Sequence, residues 1–247
     1  MIILQTSGRF GNNVQQFINA IAIGERKNIP IVKYSFPQFS NNTVLIQYDP
    51  KRDINYSKIS DTFYTISEPI EFKERQRIAR KYLLPILKYY KQETRFEDYY
   101  TSALFVHIRS GDLFKNTDVH PGYTQPPLAY YKKIFSMENN RKILVFYEDD
   151  ANPVVNALKK LYPSAEFYSV PLVVLITIFM NAQYIVNNVG TLIQSIVYFN
   201  RNVKKIYSTV EIIPDKTIII DLPNYITTWK NTEEQRSMML TYTLTDI

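Results

Sequence analysis

Apolar residues follow two spacings along this chain, and the two alternate. Short apolar runs typical of strands cover residues 2–5, 29–32, 103–108, 143–147, 167–170 and 184–187. Helical spacing predicts helices over residues 13–26, 128–135 and 152–161. Strands that alternate with helices favour parallel sheets covered by helices, so we expect an α/β fold. The pattern restarts near residue 100, which predicts two domains, residues 1–98 and 99–247.

A strongly basic segment separates the two halves. Residues 73–95 contain eight lysines and arginines but only two glutamates. The segment's net charge of +6 equals that of the whole chain. Apolar residues recur there at helical spacing, which predicts an amphipathic helix with a solvated basic face, bent at Pro85. A nucleic-acid or membrane surface is the alternative interpretation.

Composition narrows the function further. The 247 residues are 45% hydrophobic and 21% charged, as in folded globular proteins. No apolar run reaches the roughly 18–20 residues of a membrane span. The absence of cysteine excludes disulfides and thiolate metal sites, and two histidines exclude a histidine-rich metal site. With no secretory signal pattern, we expect a cytoplasmic protein in a bacterial cell or a virus-infected host cell. The pI near 9.2 favours anionic partners.

Four loops follow predicted strands at the end where open α/β sheets bind ligands. The first, residues 8–13, offers flexible backbone, a guanidinium and two amides at a helix N-terminus, which suits an anion or a plain tight turn. In the second, residues 106–112, His107 and Arg109 share one face of a strand. Arg109 there either clamps a diphosphate or pairs with Asp112.

The other two loops carry carboxylates and small residues. Glu148, Asp149 and Asp150 end an apolar strand, where carboxylates bind ribose hydroxyls or guanine, hold a divalent metal, or cap the following helix. In residues 187–191, the backbone N–H groups of Gly190 and Thr191 and the Thr191 hydroxyl form a potential anion cradle.

Together the four loops resemble those of the GDP-fucose-dependent fucosyltransferases, the group of protein O-fucosyltransferases and α1,6- and α1,2-fucosyltransferases. Residues 8–12 (GRFGN) are similar to the first motif of the protein O-fucosyltransferases, and residues 107–112 (HIRSGD) resemble the H-x-R-x-G-D motif. Asp149 and Asp150, with residues 162–167, resemble the stretch that recognises guanine. Residues 187–191 fall where the family has its phosphate loop, and the segments occur in family order.

The resemblance implies a compact GT-B fold of two facing Rossmann-like domains and an inverting, metal-independent transfer of fucose from GDP-fucose to a glycan or protein hydroxyl. It implies no cofactor beyond the GDP-sugar. Arg109 would bind the β-phosphate, with Asp112 orienting it or acting as the base. The other residues implied to bind the donor are Arg9, Phe10, Gly11, Asn12, Asn13, His107, Asp149, Asp150, Asn188, Gly190, Thr191 and Leu192.

Three alternatives stay open at the level of sequence. Glu148, Asp149 and Asp150 would hold Mn²⁺ in a metal-dependent UDP-sugar glycosyltransferase. The basic segment would serve a non-enzymatic protein that binds nucleic acid or an acidic surface. A lectin-like relative would bind the donor without turnover. The acceptor, the donor sugar and the oligomeric state are open as well.

Overall fold

The computed structural model describes residues 1–4, 8–40, 43–46, 49, 51, 69–88, 94–116 and 118–244. The last residue of the first predicted strand and residues 89–93 of the basic segment lie outside these ranges. The chain divides into two compact units: one comprises Met1–Gln92 and Thr191–Arg201, and the other Glu93–Gly190 and Asn202–Ile247. Residues 191–201 therefore pack with the N-terminal unit, although the sequence pattern assigned them to the second domain.

The first unit combines a small sheet with one long helix. Within its described residues, β1 (Ile2–Ile3) pairs parallel with β2 (Ile31–Lys33), which pairs antiparallel with β3 (Thr43–Leu45). Helix α1 (Phe10–Arg26) buries the predicted apolar face inside this unit. It begins three residues before the predicted start, after Gly8 at φ +70° and an extended residue 9.

The basic segment is helical over a shorter stretch than predicted. Helix α2 (Phe72–Ile78) continues as a π-helical turn (Ala79–Leu83) and a 3-10 turn (Leu84–Ile86). The predicted helix is therefore present over residues 72–86, but the chain does not continue helically beyond a bend at Pro85, because the helical backbone ends just after this proline. Proline lacks the N–H that would continue the helix, and Leu87 is already extended.

Several arginines of this segment bind within their own unit rather than forming a free basic face. Arg77 pairs with Glu25. Arg75 donates to the side-chain oxygen of Gln15 at 3.0 Å, and Arg80 donates to a backbone carbonyl of residue 200 at 2.7 Å. These contacts neutralise or occupy part of the charge on which the nucleic-acid alternative depends.

The second unit contains a parallel sheet. The strands that the structure describes in it are β4 (Leu104–Ile108), β5 (Ile143–Tyr147), β6 (Glu166–Tyr168), β7 (Tyr184–Val186), β8 (Lys205–Ser208) and β9 (Thr217–Ile219). They are hydrogen-bonded in the order β6-β5-β4-β7-β8-β9, and every pairing is parallel. With β4 as first strand, this is the 3-2-1-4-5-6 order of the Rossmann fold. The sequence pattern identified the first four strands and missed β8 and β9.

Four helices of the second unit lie between these strands: α3 (Asp112–Lys115), α4 (Leu128–Met137), α5 (Pro153–Leu161) and α6 (Leu172–Asn181). A 3-10 helix (Thr94–Tyr99) precedes β4, and α8 (Glu233–Thr241) follows β9. Helix α7 (Thr191–Ile196) packs in the first unit. Strand β4 is buried along its whole length, as a central strand of a parallel sheet must be. Of the helices that the structure describes, none combines the length and the apolar character needed to span a membrane.

Candidate functional site

The strand order identifies where the second unit should bind a ligand. In a doubly wound sheet the crevice opens at the carboxyl ends of the two strands at which the order reverses, here β4 and β7. Arg109 directly follows β4, and Gly190 ends the loop after β7. A Cβ atom on Gly190 would lie 2.7 Å from Nη1 of Arg109, and Gly190 has φ +103°. Glycine at position 190 thus lets the guanidinium of Arg109 lie directly against the backbone of the loop after β7.

The surroundings of Arg109 leave its charge incompletely paired. The side chain is only 14% exposed, and its Nη2 lies 3.6 Å from Oδ2 of Asp112, long for a hydrogen bond. Its Cζ stacks 4.3 Å from the centre of the Tyr123 ring. Nε is buried and has no hydrogen-bond partner among the described residues. A buried donor without a partner costs free energy, so the protein satisfies this guanidinium only in part.

The loop after β5 braces the loop that carries Arg109. The backbone N–H of Ser110 donates to Oε2 of Glu148 at 3.1 Å, and the Ser110 hydroxyl donates to Asp149. Asn152 Nδ2 donates to the carbonyl of Arg109 at 3.0 Å. The side chain of Asn152 also caps α5 by accepting from the N–H of residue 154. The expectation that an acidic residue caps this helix is therefore wrong: the amide two residues further on occupies that position.

Asp149 and Asp150 are held by separate lysines. Burial raises the pKa of Asp149, but hydrogen bonds from Lys115, Ser110 and two backbone N–H groups outweigh it and hold that pKa well below its usual range. Asp149 in turn raises the pKa of Lys115. Asp150 pairs with Lys159 at 2.7 Å. Reading of guanine by either aspartate stays a prediction.

The three carboxylates of the acidic triplet, Glu148 to Asp150, do not share one set of partners. Glu148 and Asp149 both turn to the loop after β4, whereas Asp150 pairs with a lysine of α5. Over the described ranges, no three His, Cys, Asp or Glu side chains converge as metal ligands would.

His107 and Asn188 lie below the surface of the second unit. His107, only 3% exposed, contacts the Phe179 ring edge-on and is thus buried. Asn188 donates through Nδ2 to the hydroxyl of Tyr131 at 2.9 Å. Burial raises the pKa of Tyr131, which stays protonated. Tyr130 donates to the carbonyl of residue 187 at 2.8 Å, so α4 anchors the loop that ends at Gly190.

The remaining predicted donor residues lie in the first unit. Gly11 is where α1 meets α7, since a Cβ atom on it would lie 2.6 Å from the backbone carbonyl carbon of Thr191. The Thr191 hydroxyl donates to Oδ1 of Asn12 at 2.7 Å. Phe10 is buried against Phe39.

Three further predicted residues complete this group. Asn13 is 1% exposed and donates to Gln38 at 3.2 Å, whereas Arg9 is exposed and Leu192 is partly buried in α7. Phe10 and Asn13 are thus packed inside the unit. The structure brings Gly11, Asn12 and Thr191 together there, while Gly190 lies with Arg109 in the other unit.

Sequence reasoning missed the C-terminal brace, a set of contacts from residues 225–236 to α3 and to the loop between α3 and α4. The backbone N–H of Trp229 donates to the Pro121 carbonyl at 2.8 Å, and its indole N–H donates to residue 113 at 3.1 Å. Tyr225 donates to the carbonyl of residue 125, and Arg236 to that of residue 114. The sole tryptophan of the sequence is the one signal that marked this segment.

No protein-family model matches the chain, and no curated protein sequence matches it significantly. Among solved structures, it is similar to the fucosyltransferase NodZ from Bradyrhizobium, with 12% identity, 83% of this chain and 93% of that chain covered, and a TM-score of 0.50. Two further solved structures match with lower TM-scores. One is POFUT1 in complex with GDP (13% identity, 81% of this chain and 95% of that chain covered, TM-score 0.39). The other is the iron-containing dodecameric glycosyltransferase TibC from enterotoxigenic E. coli H10407 (13% identity, 98% and 72% covered, TM-score 0.42).

The likeness to NodZ concerns the fold. It confirms the predicted α/β class, with a GT-B-like architecture and Rossmann-like domains.

Proposed function

We propose that the protein is a GT-B glycosyltransferase that transfers fucose from GDP-fucose to a hydroxyl of a glycan or protein, with inversion and without a metal ion. The observation that carries the proposal is the buried, incompletely paired guanidinium of Arg109 at the switch point of a Rossmann-type sheet. The order of the fucosyltransferase-like motifs supports GDP and fucose as the donor's two parts.

In the proposed reaction, the acceptor oxygen attacks the anomeric carbon while the bond from that carbon to the β-phosphate oxygen breaks. GDP leaves with the bonding electrons, and Arg109 stabilises the negative charge that develops on the β-phosphate. The planar guanidinium offers two parallel N–H groups to the diphosphate. Asp112 is 46% exposed beside it, and either orients Arg109 or accepts the proton of the acceptor hydroxyl.

Nucleotide binding tests the proposal most directly. GDP, UDP, ADP and CMP are compared by thermal shift, each with and without EDTA. A ligand present at 100 times its Kd stabilises the native state by about 2.7 kcal/mol. We expect stabilisation by GDP alone, unaffected by EDTA. Stabilisation by UDP with a divalent metal, or by none of the four nucleotides, would contradict the proposal.

Variants connect this binding to Arg109. Arg109→Ala should abolish GDP stabilisation and lower turnover of GDP-fucose by about 10²–10³-fold or more. Arg109→Lys retains the charge but loses the fork, so it should recover only part of the loss. Lys204→Ala is the control for loss of charge: it also removes one positive charge, but Lys204 is exposed and precedes β8, so it lies at the amino-terminal edge of the parallel sheet, opposite the edge that carries Arg109. The control should bind GDP like the wild type.

A further inference from the structure

His120 lies beside the ring that stacks on Arg109, and the proposed function assigns it no role. The imidazole and the Tyr123 ring are 5.1 Å apart between centroids, and the same Tyr123 ring lies 4.3 Å from the guanidinium carbon. His120 is exposed, unlike the buried His107. The exposed imidazole of His120 and the guanidinium of Arg109 therefore both contact the Tyr123 ring.

The hydrogen bonds of His120 determine which of its nitrogens carries a proton. Nδ1 accepts from the backbone N–H of Gly122 at 3.1 Å. A nitrogen that accepts a hydrogen bond has no proton, so the neutral imidazole carries its proton on Nε2. No hydrogen-bond partner of Nε2 occurs in the described part of the chain. His120 thus offers an unused N–H donor, and this tautomer makes it unsuited to be the general base through Nε2.

The loop holds this donor in place. The backbone N–H of Tyr123 donates to the carbonyl of His120 at 3.1 Å, and Gln125 Nε2 donates to the carbonyl of Tyr123 at 2.8 Å. The C-terminal brace holds Pro121, the residue after His120, because the backbone N–H of Trp229 donates to the Pro121 carbonyl. A donor fixed in advance loses less conformational entropy when it binds than one on a free loop.

We propose that His120 is a second binding residue for the diphosphate of the donor: its Nε2–H donates to a phosphate oxygen while the guanidinium of Arg109 binds other oxygens of the same diphosphate. A diphosphate has oxygens at both ends, so one ligand can accept from both donors. Hydrogen bonds to a charged group contribute more than those between neutral groups. This inference rests on the proposed function.

Two substitutions distinguish the role of the Nε2–H group of His120 from that of the hydrogen bond between Nδ1 and the N–H of Gly122. In His120→Asn, the short side-chain oxygen still accepts from the N–H two residues on, as in an Asx turn, but the distant N–H is lost. His120→Gln has an amide N–H at about the reach of Nε2. The affinities of GDP and GMP are measured by calorimetry for the wild type and both variants, together with their melting temperatures.

We expect His120→Asn to weaken GDP about 10-fold, the lower end of the loss for a hydrogen bond to a charged group. GMP affinity and Tm should stay near the wild-type values, and His120→Gln should recover most of the GDP affinity. Unchanged GDP binding by His120→Asn would overturn the inference while leaving the proposed function standing. So would an equal loss of GDP and GMP with a lower Tm, which indicates a structural role. A wild type that binds no GDP would overturn both.

Discussion

Gly190→Ala is the perturbation that most sharply tests the geometry around Arg109. The new methyl group would lie 2.7 Å from Nη1, so the guanidinium must withdraw by about 0.7 Å to reach the 3.4 Å of ordinary contact. The tip of an arginine moves at little cost in stability. The backbone is less forgiving, because a non-glycine residue at φ +103° costs about 1–3 kcal/mol. One substitution thus has two separable effects.

The two effects are separated by a double-mutant cycle of Gly190→Ala and Arg109→Ala. Turnover of GDP-fucose is measured for the wild type, both single variants and the double variant, and the free energy of unfolding is measured by denaturant titration. We expect Gly190→Ala alone to lower turnover about 10–100-fold, the cost of misplacing a catalytic group by about an ångström. In the Arg109→Ala background it should lower turnover no further, while the backbone cost of about 1–3 kcal/mol persists.

Additive losses of turnover would refute this reasoning. They would show that Gly190 acts independently of the guanidinium, through the loop backbone alone, since independent sites contribute additively. A Gly190→Ala variant with wild-type turnover would refute it as well, because Arg109 would then tolerate the displacement.

Two further predictions concern packing and electrostatics. Gly11→Ala should lower the stability of the first unit by about 1–3 kcal/mol or more, because the methyl group meets the Thr191 backbone, which cannot yield as a side chain can. Gly24→Ala is the comparison variant within α1: there the methyl group overlaps only the flexible end of Ile46, and the nearest backbone atom, the Ile29 oxygen, is 3.2 Å away, so equal losses in denaturant titration would contradict the prediction. Asp149 has a lowered pKa, so it contributes stability above the unfolded-state pKa of about 3.9, and this contribution is lost as pH falls toward the folded-state value. The Tm difference between wild type and Asp149→Asn should therefore be constant from neutral pH to about pH 5 and shrink below about pH 4; a difference that persists unchanged at pH 3 would oppose it.

Local pattern was sufficient for much of the fold. The central strands β4, β5 and β7 and the helices α1, α4 and α5 appear in the sequence as apolar runs or amphipathic repeats, because burial of a strand or a helix face imposes its own spacing. The sequence pattern missed strands β8 and β9, although they are no shorter than β6 and β7, which it identified. The basic segment was misjudged at its end, where a proline decides the backbone locally.

The candidate site, too, was predicted only in part from the sequence. The sequence alone identified Arg109 and Gly190 as residues that follow strands, since glycine and charged side chains at strand ends are local features. Tertiary structure decided what surrounds them: which loops the parallel strand order brings to one edge, the stacking of Tyr123 on the guanidinium, and the brace from Trp229 to the loop of His120. These contacts join residues far apart in the chain, and no local spacing encodes them, because they form only when the sheet has assembled and distant segments pack against one another.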